Sequence, residues 1–154
     1  SIPERISLWA DWSITMTVKQ LSVFVENSTG SMVEIIQVLG ECGIDIRALS
    51  IADTTDFGIL RLIVSDPERA LSALKERNIT VSITEVIGVK LVDRPGGLAN
   101  VLTILRDGDI SVEYMYAYVS KSEENACIIL RVSDTERALN ILNDHGVSIV
   151  DEAY

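Results

Sequence analysis

The sequence predicts an α+β fold in which residues 20–154 spell the order strand, helix, strand, strand, helix, strand twice in tandem. Three observations carry this. Ser65-Asp66-Pro67-Glu68-Arg69-Ala70-Leu71 returns as Ser133-Asp134-Thr135-Glu136-Arg137-Ala138-Leu139, and the Gly30 turn returns at Gly96. The turn is offset by 66 positions and the later match by 68, so the second copy gains two residues inside a matched frame, as a loop insertion does. Within each copy, period-two apolar alternation gives way to apolar spacing of i, i+3, i+4 and i+7, the change from strand to helix. Two copies are too few for a stacked array, which needs three or more.

Taken in order, Leu21, Val23 and Val25 form the first strand, the turn runs through Asn27-Ser28-Thr29-Gly30-Ser31, and Met32, Ile35, Ile36 and Leu39 line one helix face. Copy two repeats this with Val89 and Leu91, the turn Asp93-Arg94-Pro95-Gly96-Gly97, and Leu98, Val101, Leu102 and Leu105. Gly43 and the Gly108-Asp109 pair supply helix stops, before strand stretches at 44–52 and 110–119. Hairpins turn near Thr54-Thr55-Asp56 and near Lys121-Ser122-Glu123-Glu124, where the two extra residues fit. The runs Ile59–Val64 and Ala126–Val132 follow. Asp66 and Asp134 are N-caps, with Pro67 at the first helical position. The second helices bury Ala70, Leu71 and Leu74, or Ala138, Leu139 and Leu142. Each ends in a cation, Arg77 or His145, then an αL stop at Asn78 or Gly146. Last strands at 79–87 and 147–152 complete the units, with Gly88 as the break between copies.

This order is the split βαβ, or ferredoxin-like, motif: two helices on one face of a four-stranded antiparallel sheet. The expected domains are 16–87 and 88–154. Residues 1–15 lie outside the repeat, and Met16 resembles a natural start, so 1–15 reads as an extension or tag; an amphipathic arm carrying Trp9 and Trp12 is the alternative. Units below ~70 residues are marginally stable alone, which favours pairing of copies.

Net charge is −10, divided as −5 in each copy, with no basic face or tail. Nucleic acid and anionic membranes are therefore disfavoured as partners. No apolar stretch approaches ~18 residues, and 1–15 lack the pattern of a secretory signal. Cys42 and Cys127 sit in apolar segments without a Cys-x-x-Cys pair or a nearby histidine, so a reduced, cytoplasmic setting without metal or cofactor is expected. His145, the sole histidine, reads as a helix-dipole partner rather than a base.

The candidate site is the turn before each first helix. Gly30, Gly96 and Gly97 let a ligand approach the backbone, and unpaired first-turn N–H groups attract a carboxylate. Asn27 and Asp93 stand at matching positions, where an Asp would accept from an ammonium group. Together they suit a free amino acid. Ordinary turn and capping chemistry explains the same letters.

The segment Val89-Lys90-Leu91-Val92-Asp93-Arg94-Pro95-Gly96-Gly97-Leu98, followed by a helix and Ile110-Ser111-Val112, resembles the first strand and turn of an ACT domain. The resemblance covers both copies. It implies a tandem regulatory module that binds amino acids or related small molecules where ACT units meet, and that acts as a homodimer, with a regulated enzyme or regulator as downstream partner. Carried over by position, it points to Asp93, Arg94, Gly96, Gly97 and Leu98, and in copy one to Asn27, Ser28, Gly30, Ser31 and Met32. Copy one departs from the family pattern, with Thr29 in place of Pro95 and Ser31 in place of Gly97.

Tyr114, Tyr116 and Tyr118 share one sheet face where copy one has Ala48, Ser50 and Ala52, and are expected to pack at an interface or line a pocket. The rivals are a ligand-free dimerisation module, an RNA-binding sheet and an acylphosphatase-like enzyme. RNA binding conflicts with the acidic charge. The enzyme lacks a glycine-rich cradle around Arg94 and a suitable strand asparagine.

Overall fold

The computed structural model describes residues 17–26, 30–53, 56–92, 94–118 and 125–150. Seven strands and four helices appear among them: β1 (Val18–Glu26), α1 (Ser31–Glu41), β2 (Ile46–Asp53), β3 (Phe57–Val64), α2 (Pro67–Glu76), β4 (Val81–Val92), α3 (Gly97–Asp107), β5 (Val112–Tyr118), β6 (Asn125–Val132), α4 (Thr135–Asp144) and β7 (Ser148–Ile149). This is the predicted βαββαβ order, twice. Lys19–Thr84 pack as one unit; the described residues from Glu85 onward, with Thr17 and Val18, pack as the other.

In the first unit the antiparallel strand order is β2, β3, β1 and then the start of β4. Its core joins Leu21, Val23, Leu60, Leu62 and Val64 from the sheet to Ile35, Val38 and Leu39 from α1 and Ala70 and Leu74 from α2. In the second unit the order is β5, β6, the end of β4, and β7. Ile87, Val89, Leu91, Leu130 and Val132 there meet Val101, Ile104, Leu105, Ala138, Leu139 and Leu142.

The recurring Ser-Asp pair has a physical reason to recur. Asp66 Oδ1 accepts from the Arg69 amide and Asp134 Oδ1 from the Arg137 amide, each at 3.2 Å, capping α2 and α4. The preceding serines brace the neighbouring chain: Ser65 Oγ accepts from the Asp45 amide at 3.0 Å, and Ser133 Oγ from the Ser111 amide at 3.1 Å. Asn78, Gly43 and Gly146 take positive φ as helix stops.

Three expectations are corrected. Gly88 does not break the chain, because β4 runs unbroken from Val81 to Val92. Its small size instead admits Val150, whose amide donates to the Gly88 carbonyl at 2.7 Å. The Gly108-Asp109 stop ends α3 as expected, with Asp109 as the left-handed residue, φ 57, and Gly108 at φ −86 as C-cap. The apolar faces of α1 and α3 are turned by one step: Ile35, Val38 and Leu39, and Val101, Ile104 and Leu105, are buried, while Met32 and Ile36 are exposed. Strand bounds also shift, to Ile46–Asp53, Val112–Tyr118 and Ser148–Ile149. The turn residues Thr54, Thr55 and 121–124 lie outside the described residues.

Candidate ligand-binding clefts

Both first helices begin the same way. The N-caps Gly30 and Gly96 each adopt φ 91, ψ −10, a left-handed conformation that L side chains rarely enter, and neither glycine has a side chain with which to cap its helix. A Cβ added to either glycine would meet nothing within 4 Å, so both corners open to space rather than being plugged. The Gly30 and Gly96 carbonyls accept from the Glu34 and Asn100 amides, each at 3.0 Å, and the Gly97 amide donates to the Arg94 carbonyl at 3.3 Å. By contrast, α2 and α4 begin with aspartate caps. At α1 and α3 the N-cap position is instead a glycine, beside which the partial positive charge of the helix start lies.

A cleft adjoins each corner. The first, about 270 Å³, is lined by Val25, Glu26, Gly30, Met32, Val33, Ile51, Asp53 and Gly58. It lies on the β3 and β2 side of its leading strand. The second, about 420 Å³, includes Lys90, Arg94, Pro95, Gly96, Gly97, Asn100, His145 and Ser148. It lies on the β7 side, because β7 pairs with β4 and sets Ser148 beside Lys90. The clefts therefore differ in chemistry: one combines apolar side chains with two carboxylates, the other gathers Lys90, Arg94 and His145 about a helix start.

Of the predicted site residues, Gly30 and Met32 line the first cleft, and Arg94, Gly96 and Gly97 the second. Ser31 is half-buried at the first helical position. Leu98 packs partly into the core. Asn27, Ser28 and Asp93 lie outside the described residues. Tyr114 and Tyr116 stack with ring centroids 6.5 Å apart and an interplanar angle of 19°. Opposite Arg131 and Ile129 in register, they occupy the sheet face away from the helices and are not among the cleft residues.

Sequence reasoning missed Lys90, Asn100 and His145 as cleft residues. The available signal was topological: in a split βαβ unit the last strand lies beside the first, so the end of α4 must flank the β4 turn. His145 does serve α4's C-terminus, with Nδ1 2.8 Å from the Ile141 carbonyl. That oxygen only accepts, so Nδ1 carries the proton and Nε2 is left for another partner. No group of three or more His, Cys, Asp or Glu able to hold a metal occurs among the described residues. No described helix is long and apolar enough to cross a membrane.

The fold and its two glycine corners define a tandem pair of ferredoxin-like modules with exposed leading-helix starts. The chain belongs to the ACT domain pair family, whose model matches residues 16–153. It is 38% identical to protein BT0572 of Bacteroides thetaiotaomicron, across 90% of this chain and 94% of that one, with a TM-score of 0.84. It shares its fold with the regulatory subunits of aspartate kinase from Thermus thermophilus and Thermus flavus. The first, a ligand-free form, is 18% identical over 82% of this chain and 91% of that one, TM-score 0.59. The second is 17% identical over 82% and 90%, TM-score 0.55. No curated protein matches the chain. Family membership supports a regulatory, small-molecule-binding role in general.

Proposed function

We propose that this chain is a non-enzymatic, cytoplasmic regulatory protein that binds a free amino acid or a close relative where ACT modules meet. Its modules are 16–87 and 88–154, preceded by an extension, and it works as a homodimer. The observation that carries this reading is the pair of open glycine corners, each adjoining a cleft at the start of a helix whose N-cap is glycine. Amides there hold a carboxylate, and Arg94, Lys90 and His145 reinforce that preference in the second module. Asp93 and Asn27 accept from the ligand's ammonium group. In the first module Glu26 and Asp53 share that task, and Met32, Val33 and Ile51 receive an apolar side chain.

Regulation follows from linkage: a ligand favours one arrangement of modules by no more than its differential affinity for it. The output passes to a regulated enzyme or another regulator. A thermal-shift screen of the twenty amino acids tests this, because a ligand that binds only the native state raises the midpoint. The expected result is a shift for one or a few amino acids, reduced by Asp93→Ala or Asn27→Ala. No shift with any amino acid would leave the ligand-free dimerisation module as the better reading.

A further inference from the structure

The cleft of the second module gathers cations in an acidic chain. Residues 88–154 hold eleven Asp or Glu against six Lys or Arg and the sole histidine. Two of those six, Lys90 and Arg94, line the cleft of about 420 Å³ together with His145, and no Asp or Glu is among its described lining residues. No described carboxylate forms an ion pair with any of the three. Arg106 and Arg131, by contrast, are engaged by Asp107 and Glu113. The volume falls in the range of small-molecule sites, ~300–1,000 Å³.

We propose that the second cleft takes an amino acid whose side chain ends in an anion: aspartate, glutamate or a phosphorylated residue such as O-phosphoserine. The observation that carries this is the meeting of Lys90, Arg94 and His145 from three places in the chain, namely β4, the turn after it and the end of α4. The ligand's α-carboxylate at the Leu98 and Ala99 amides leaves these cations without a full counter-charge. A second anionic group on the same molecule supplies it, and Asn100 and Ser148 add neutral donors. His145 Nδ1 already bonds the Ile141 carbonyl, so Nε2 meets that group as a donor when the ring is charged. A neutral side chain would leave the cations unmatched, and a basic one would add repulsion.

The first module supplies an internal comparison. Its residues matching Lys90, Asn100 and His145 are Phe24, Glu34 and Arg77. Glu34 puts an acid in the first turn of α1, where α3 has none. Arg77 is engaged by Glu41 at 3.5 Å. The cleft beside α1 holds Glu26 and Asp53 instead of cations. The preference for a second anionic group therefore belongs to the second module alone.

This inference rests on the amino-acid reading of the second cleft and names its ligand class. The experiment is titration of the uniformly ¹⁵N-labelled full chain, in slightly acidic buffer of constant ionic strength, followed at the Leu98 and Ala99 amides. Aspartate, glutamate and O-phosphoserine are compared with the other amino acids, and with succinate and inorganic phosphate as anions that lack the amino-acid group. At least one of the three acids should bind about tenfold or more tighter than asparagine, glutamine or serine and than either simple anion, the scale of one charge-assisted hydrogen bond. Whichever acid binds tightest tells carboxylate from phosphoryl. Lys90→Gln and His145→Gln, both at exposed positions, should each lose most of that preference while amide shifts elsewhere stay those of the folded parent. A neutral or basic amino acid that binds there as tightly, or a preference indifferent to both substitutions, would overturn the acidic class and leave the amino-acid reading standing. A simple anion that binds as tightly would overturn it by reducing the cleft to an adventitious anion site. No shift of these amides with any of the twenty amino acids or O-phosphoserine would overturn both.

Discussion

Gly30 and Gly96, 66 positions apart, hold the same backbone conformation, φ 91 and ψ −10, each as the residue before a leading helix. Space does not require glycine at either place, since an added Cβ would touch nothing within 4 Å. The dihedral does. Gly30→Ala and Gly96→Ala should therefore each cost about 1–2 kcal/mol from backbone strain alone. Urea denaturation of the two variants measures it, and a cost near zero would mean that the corner relaxes to negative φ.

Gly88 and Gly108 present the opposite case, with ordinary φ but little room. A Cβ on Gly88 would stand 2.9 Å from Val150 Cβ, an atom next to the backbone that cannot swing away. Gly88→Ala should destabilise by about 1–3 kcal/mol. On Gly108 the nearest atom is Ile141 Cδ1 at 2.6 Å, the far end of a flexible side chain. Gly108→Ala should cost about 1 kcal/mol or less, the scale of a rotamer adjustment. Denaturation midpoints of the pair should rank them in that order.

The aspartate caps offer a matched pair of tests. Asp66→Ala and Asp134→Ala each remove an acceptor for an amide at 3.2 Å, and each should cost about 1 kcal/mol. The same changes to asparagine should cost little, because its side-chain oxygen caps as well. Equal losses for alanine and asparagine would show that charge, not hydrogen bonding, is what matters there.

Lys19 Nζ donates to Glu68 Oε1 at 2.6 Å, and this hydrogen bond is the main reason that the Glu68 carboxyl titrates below its ordinary value. A depressed folded-state value means that the pair's contribution is present above the unfolded-state pKa and is lost as pH falls through the folded one. Both side chains are substantially exposed, so solvent screening limits the contribution to about 1 kcal/mol at most. Lys19→Met should thus be slightly less stable than the parent at pH 7, and the difference should vanish in acid. A difference that persists below the carboxylate range would assign it to packing of the lysine stem instead.

Much of the fold was legible because local chemistry repeats: two Ser-Asp caps, Pro67 at a helix start, and αL stops at Asn78 and Gly146 all stand where their residue types require. The helix faces were less so, for an arithmetic reason. Met32, Ile35, Ile36 and Leu39 fit the i, i+3, i+4, i+7 rule, but so do Ile35, Val38, Leu39 and Cys42. Only packing chooses between them, and the rejected set leaves Met32 and Ile36 on the surface beside β2. Gly88 was opaque because its neighbour Val150 is distant in sequence. Lys90 and His145 were opaque for the same reason, being joined at one cleft only through the pairing of β4 with β7.

The central claim is that backbone amides at the two glycine-led helix starts receive a ligand carboxylate. Amide chemical shifts of the uniformly ¹⁵N-labelled chain, followed while each amino acid is added, read those groups directly. The account predicts saturable shifts for at least one amino acid at Leu98 and Ala99, or at Met32 and Val33, larger than anywhere else in the same module. Saturable shifts centred on other residues while these four amides stay still, or no saturable shift with any of the twenty, would contradict it.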